Sequence, residues 1–130
     1  MKKGFSLIEL IVVITIIMVI STVGLISYSG QNKKARDSRR MADLEKYRVA
    51  LEMARQVGST YPTSLNTLVT MNLMSATLAD PNKDYSYYYN RASAYTYSLG
   101  AHVEDLGSTN SAGTGSCGTS VTCNYLLTNP

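Results

Sequence analysis

MKKGFSLIELIVVI, residues 1–14, opens the chain and decides how the rest is read. Two lysines and Gly4 precede an apolar run that carries one carboxylate, Glu9. After Glu9 no formally charged side chain appears until Lys33. About 20 residues at about 1.5 Å each match a hydrocarbon core of about 30 Å, so the run is long enough to cross a membrane as a helix. An acid near the start of such a run is costly in hydrocarbon and marks a functional residue by default. A cleavable secretory signal has a shorter apolar stretch followed by a small-residue cleavage site, and this N-terminus fits neither feature. A plain signal-anchor helix is the competing reading, and it leaves Glu9 without a purpose. Charge argues both ways on orientation. Lys33, Lys34, Arg36, Arg39 and Arg40 against the single Asp37 favour a cytoplasmic C-terminal side, while Lys2, Lys3 and the initial amine favour the reverse.

Residues 5–57 contain no proline, and Gly24 and Gly30 are the glycines among them. Both are expected to loosen the helix near the outer membrane interface. After Gln31 the pattern becomes amphipathic. Leu44, Tyr47, Leu51 and Ala54 recur at three and four residues, one stripe of a 3.6-residue period, and Met41, Ala50 and Val57 widen it. Leu44, Leu51 and Ala54 are expected to be buried, Arg40 and Glu52 exposed. Glu45 and Arg48 form a surface charge pair at helical spacing. One long helix from about Phe5 to Val57 follows, with Gly58 as its C′ residue and Pro62 confirming the break.

The remaining residues predict a small antiparallel sheet against that helix, an α+β fold. Ser64 to Met71 predicts a short helix laying Leu65, Leu68 and Val69 on the stripe. Asp80-Pro81-Asn82 reads as a turn. Tyr85–Tyr89 and Tyr95–Leu99 predict a hairpin around the five-residue loop Asn90–Ala94, with Tyr95, Tyr97 and Leu99 facing inward and Val103 extending the second strand. Gly107 to Gly118 reads as a loop, and Val121 to Leu127 as a last strand.

Composition excludes more than it assigns. The chain has 130 residues and a formal charge of +3, which falls to +1 without Lys2 and Lys3. Ten tyrosines stand against one phenylalanine and no tryptophan. Tyrosine buries a ring and keeps a polar tip, which suits the thin core of a small domain. Cys117 and Cys123 are too few for a structural zinc site with the single His102, and their spacing is not a C-x-x-C redox motif. A domain outside the membrane makes them a disulfide, worth about 2–3 kcal/mol by loop closure. Two buried free thiols are the alternative. His102 with Glu104 and Asp105 reads as a solvated turn before it reads as a metal site. No phosphate-binding, dinucleotide, zinc-protease or serine-nucleophile motif is present, so no enzymatic activity, cofactor or metal is expected. Lys33, Lys34, Arg36, Arg39 and Arg40 are expected near lipid headgroups. DNA binding would need a second basic surface, and it is not expected.

The string G-F-S-L-I-E, after two lysines and before a long apolar run, resembles the N-terminal signal of type IV pilins and type II secretion pseudopilins. The resemblance is strongest over residues 1–31, continues in pattern to about Leu68 and is weak afterwards. It implies a leader over residues 1–4, a transmembrane helix over 5–31, and a pilin-like globular domain over 32–130 that includes the amphipathic half of the helix. It implies cleavage after Gly4 by a prepilin peptidase and methylation of the new N-terminal Phe5. It also implies that Glu9 meets the free amine of a neighbouring Phe5 during assembly, with an inner-membrane assembly machinery and minor pilins as partners. Localisation would be single-pass in the membrane first, then in a surface filament. The stretch from Gly100 to Gly113 has too few acids to carry the calcium loop of major pseudopilins. A C-terminal disulfide is commoner in pilins, which favours a polymerising pilus subunit. A secretion or DNA-uptake pseudopilin, or a minor tip subunit with a binding role, is the alternative.

Overall fold

The computed structural model describes residues 4–110, 113 and 115–129, and of residues 23–29 and 106 the backbone alone. Met1, Lys2 and Lys3, expected to belong to a leader, and positions 111, 112 and 114 of the long loop lie outside that set. The chain is α+β. Helix α1 covers Leu7–Gly58, and a short helix α2 covers Asn66–Thr70. Strands β1 (Tyr88–Ser93), β2 (Thr96–Ala101) and β3 (Tyr125–Thr128) form one antiparallel sheet in the order β1-β2-β3. Contacts divide the chain into two units, the first through Lys33 and the second from Lys34 onward.

Without proline, and with Ala, Leu, Glu, Lys and Arg dominating its second half, α1 runs through Gly24 and Gly30 unbroken. Gly58 is its last helical residue, and the left-handed conformation that ends it falls one place later, at Ser59 with φ 61°. In the first unit the apolar side chains from Leu7 to Ile20 are exposed. Among the described residues no helix is long and apolar enough to cross a membrane. The side chains of residues 23–29, which complete the apolar run of the sequence, lie outside the described set.

In the second unit Leu44, Tyr47, Ala50, Leu51 and Ala54 of α1 pack with Tyr61, Leu68 of α2, and Tyr97, Leu99 and Ala101 of β2. Leu65 packs at the edge of this core, while Val69 is only partly buried. Val57 does not join the stripe: it is 75 % exposed. Leu51 is fully buried, and Leu51→Ala is expected to cost about 2–4 kcal/mol, read as a lowered urea midpoint of the detergent-purified chain. A midpoint equal to wild type would mean that Leu51 is not part of a packed core.

Arg40, expected at the surface, is fully buried. Stepping the stripe back from Leu44 by four and then three residues reaches Arg40 and Asp37, so both face the core. Burial of a cation is tolerable only when it is paired and hydrogen-bonded. Arg40 Nε and Nη2 donate to the two oxygens of Asp80 at 2.8 Å each, and Nη1 donates to Asp37 at 2.7 Å and to Glu104 at 2.9 Å. Arg36 takes both oxygens of the same Glu104. Asp37 in turn accepts the backbone N–H groups of Glu104 and Asp105. Burial alone would pull the Arg40 guanidinium down, but the hydrogen bonds it donates to Asp80, Glu104 and Asp37 outweigh that and raise it. Asp80, read as a turn residue, is therefore also an anchor for α1. Asp80 also makes the expected turn, its Oδ1 accepting Asn82 N–H at 2.8 Å, and a second turn follows, closed by Tyr85 N–H on the Asn82 carbonyl at 3.1 Å.

The hairpin is shifted from its expected place. β1 starts at Tyr88, the strands meet at a two-residue turn, Ala94-Tyr95, and the register slips between Arg91 and Ser93. A bulge absorbs the residue that the sequence assigned to a longer loop. Tyr97 and Leu99 face the core, whereas Tyr95, at the turn, is 59 % exposed. Val103 is buried but lies past the end of β2, and β3 begins at Tyr125, not Val121.

The tyrosines fasten loops to this frame. Tyr47 Oη accepts from Leu78 N–H at 2.6 Å and donates to its carbonyl at 3.2 Å. Tyr89 donates to the Pro62 carbonyl, Tyr87 to Asp43, and Tyr61 and Tyr97 to Glu52. Burial pushes all five phenols up, Tyr89 to about 12, so each keeps its proton and remains a donor. Asparagine amides close other gaps. Asn110 grips Leu126 N–H and C=O, and Asn124 grips those of Val103.

Cys117 and Cys123 are joined by a disulfide and are both buried. The loop they close pairs with the segment before β1 through the Tyr85–Gly118 bridge and through Ser86 N–H on the Cys117 carbonyl at 2.8 Å. Gly100 keeps the space beside it free: a Cβ there would stand 2.8 Å from Leu126 Cδ2 and 3.1 Å from Cys123 Cβ, so the leucine tip and the disulfide would have to shift. The exported protein is expected to take up no alkylating reagent without reductant and two equivalents with it, read by mass. Labelling of both thiols without reductant would refute the bond.

Candidate processing and assembly site

Residues Gly4, Phe5 and Ser6 precede the first turn of α1 in irregular conformation. Ser6 stands at the N-cap position, and its carbonyl accepts the first helical bond, from Leu10 N–H at 3.2 Å. Glu9 stands three places on, where a carboxylate reaches back to the cap. Its Oε2 accepts Ser6 N–H at 3.0 Å. This is the carboxylate half of a capping box, and an acid in the first turn also faces the positive end of the helix. Ser6-Leu-Ile-Glu9 has the S-x-x-E pattern of such a box, so the cap is legible in the sequence.

Gly4 and Phe5 are exposed, Phe5 to 90 %. A Cβ built on Gly4 meets nothing within 4 Å. Among the described residues nothing crowds a side chain at that position. The geometry places an accessible Gly4–Phe5 peptide bond next to a capped helix start. Glu9 is four residues beyond Phe5, on a helix whose neighbouring side chains are apolar. Its carboxylate carries one local bond and has lone pairs left for a donor from outside the chain.

The other candidates separate. His102 Nδ1–H donates to the Thr122 carbonyl at 2.9 Å, and the ring packs edge-on against Tyr85. Glu104 belongs to the Arg36–Arg40 cluster, and Asp105 caps a 3-10 turn at Leu106–Ser108 by accepting Gly107 N–H. Among the described residues no His, Cys, Asp and Glu group is arranged to hold a metal ion. Of the basic residues after the apolar run, Arg36 and Arg40 are consumed internally, while Lys33, Lys34 and Arg39 remain exposed.

The site is thus a capped, apolar helix start preceded by an accessible glycine. Residues 1–25 match the family model for the prokaryotic N-terminal methylation motif. The chain carries that motif, which is characteristic of type IV pilins and pseudopilins. No curated protein and no solved structure was found to match the chain.

Proposed function

We propose that this chain is a structural subunit of a type IV pilus filament. It is made as a precursor, cut between Gly4 and Phe5 by a prepilin peptidase, and N-methylated on Phe5. The apolar run from Leu7 to about Ile26 holds the subunit in the membrane until the assembly machinery draws it into a helical homopolymer, leaving the second unit outside. The role is structural, not catalytic. The observation that carries this reading is the methylation motif over residues 1–25, with Gly4 accessible and uncrowded. The disulfide supports an oxidising compartment for the second unit and a pilus subunit over a secretion or DNA-uptake pseudopilin. The test is a mass spectrum of protein sheared from cell surfaces. The expected species begins at Phe5 and carries one added methyl group. A surface form that begins at Met1 would sink the proposal. Absence from the sheared fraction of a normally processed chain would favour the pseudopilin.

A further inference from the structure

The sheet has two outer edges, and the fold treats them differently. At β3 the side chain of Asn110 stands where a further strand would. Its Oδ1 accepts Leu126 N–H at 2.7 Å and its Nδ2 donates to the Leu126 carbonyl at 2.9 Å, while Asn110 N–H bonds the Asn124 carbonyl at 3.1 Å. Leu126 thus turns its backbone away from β2, and in an antiparallel ladder this direction alternates residue by residue. Leu126 lies opposite Gly100. Gly100 therefore turns toward β1 and meets Tyr88, and Ser98 meets Asn90 in the same way. Tyr89 and Arg91 are left with their N–H and C=O groups directed outward. Among the described residues no backbone group from outside the sheet bonds them.

A row of unpaired backbone groups on an edge is a template for an added strand. Space for one is present. A slot of about 390 Å³ lies along this edge, lined by Thr63, Tyr89, Asn90, Arg91, Ser93 and Ala94. Most of these side chains are polar, which suits peptide backbone better than an apolar helix. The edge is also held in place, since Tyr89 packs against the core and donates to the Pro62 carbonyl. An edge fixed beforehand spares the ordering cost of binding.

Charge selects the occupant. Arg91 Nε donates to the Ser93 carbonyl at 3.1 Å, and no carboxylate meets its guanidinium among the described residues. A second copy fits this edge poorly. β3 is closed by Asn110, which leaves β1 to pair with β1. Antiparallel pairing about Asn90 would use all the outward groups, but it would bring two copies of Arg91 onto one face about 7–8 Å apart. That like charge, and the bulge that follows Arg91, guard the edge against self-pairing. An acid on the incoming strand meets the same arginine favourably, so one residue repels the wrong strand and attracts the right one. We propose that the open edge of β1 takes up an extended, acid-bearing segment of another protein as a fourth strand.

Titration of the full-length chain in detergent with a short peptide of alternating threonine and valine, carrying one central glutamate, tests it. Amide hydrogen exchange is followed by NMR, with peptide in the millimolar range. Exchange is expected to slow at Tyr89 and Arg91, and the same peptide with lysine in place of glutamate is expected to bind about threefold more weakly or worse. Arg91→Glu is expected to reverse that preference with an unchanged thermal midpoint. Methylating the peptide's backbone nitrogens removes its donors and is expected to abolish the protection. This control leaves the protein untouched, so it decides the matter even if the variant fails to fold. Equal binding of the glutamate and lysine peptides, undiminished binding of the methylated one, protection only at other residues, or no binding would each overturn the proposal. So would protection of Tyr89 and Arg91 that rises with protein concentration in the absence of peptide, which would place a second copy on the edge.

Discussion

Arg40→Ala is expected to cost about 3–5 kcal/mol, a large part of the stability of a domain of about 100 residues. The variant removes the only cation that touches Asp37 and Asp80 in the described structure, and both carboxylates stay buried. Their charge is then unpaired in a medium that solvates it poorly, which costs more than the lost hydrogen bonds alone. Arg40→Met fills the space and is expected to be nearly as damaging, because it leaves the same acids behind. Combining Arg40→Met with Asp37→Asn and Asp80→Asn is expected to recover much of the loss. Urea midpoints of the four proteins decide it. An Arg40→Ala midpoint within experimental error of wild type would mean that the cluster contributes nothing.

The same cluster sets a response to acid. Hydrogen bonds from Arg36 and then Arg40 hold the Glu104 carboxyl down at about 2, below its ordinary 4.5. A folded-state value below the unfolded one adds stability above the unfolded value, and that stability is lost as pH falls toward the folded value. The wild type is therefore expected to lose stability between about pH 4.5 and pH 2 from this group, and Arg40→Ala less so, because one of its two cations is gone. Parallel profiles for the two proteins would refute the assignment.

Glu9→Leu is expected to insert and be processed, yet to give few or no filaments. Alone in the bilayer, Glu9 lies near enough to the helix start to reach the inner headgroups, where its cost is smaller than at the centre. In the proposed filament core it would have no such escape and would need a cation, which the proposed processing would create at Phe5 of a neighbour. Pairing also fixes axial register, since sliding one helix would leave both charges unmatched. Glu9→Gln keeps shape and an oxygen for Ser6 N–H, so it preserves the cap seen here while removing the charge. If both variants fail to assemble while reaching the membrane in wild-type amounts, charge is what matters. If Glu9→Gln assembles and Glu9→Leu does not, the local cap is the operative feature. Wild-type filament yield from Glu9→Leu would remove the main physical support for the mechanism.

The sequence by itself determined the long helix, the stripe Leu44–Tyr47–Leu51–Ala54, the short helix after Pro62 and the presence of a hairpin and a last strand. These follow from local periodicity and from glycine and proline, which act within a few residues. The Ser6–Glu9 cap was equally local. Arg40 and Asp37 were legible in position, because they continue the stripe at the same steps, but a charged residue there reads as surface until its partners are known. Those partners, Asp80 and Glu104, lie 40 and 64 residues away from Arg40. Only the tertiary structure brings them to it. Tertiary structure likewise moved the hairpin turn to Ala94-Tyr95, since a bulge changes register without changing composition. It also removed Val57 from the core and set it in line with Val49 and Met53 on the far face. Apolar periodicity states which residues want cover, while only the packed chain shows which of them already have it.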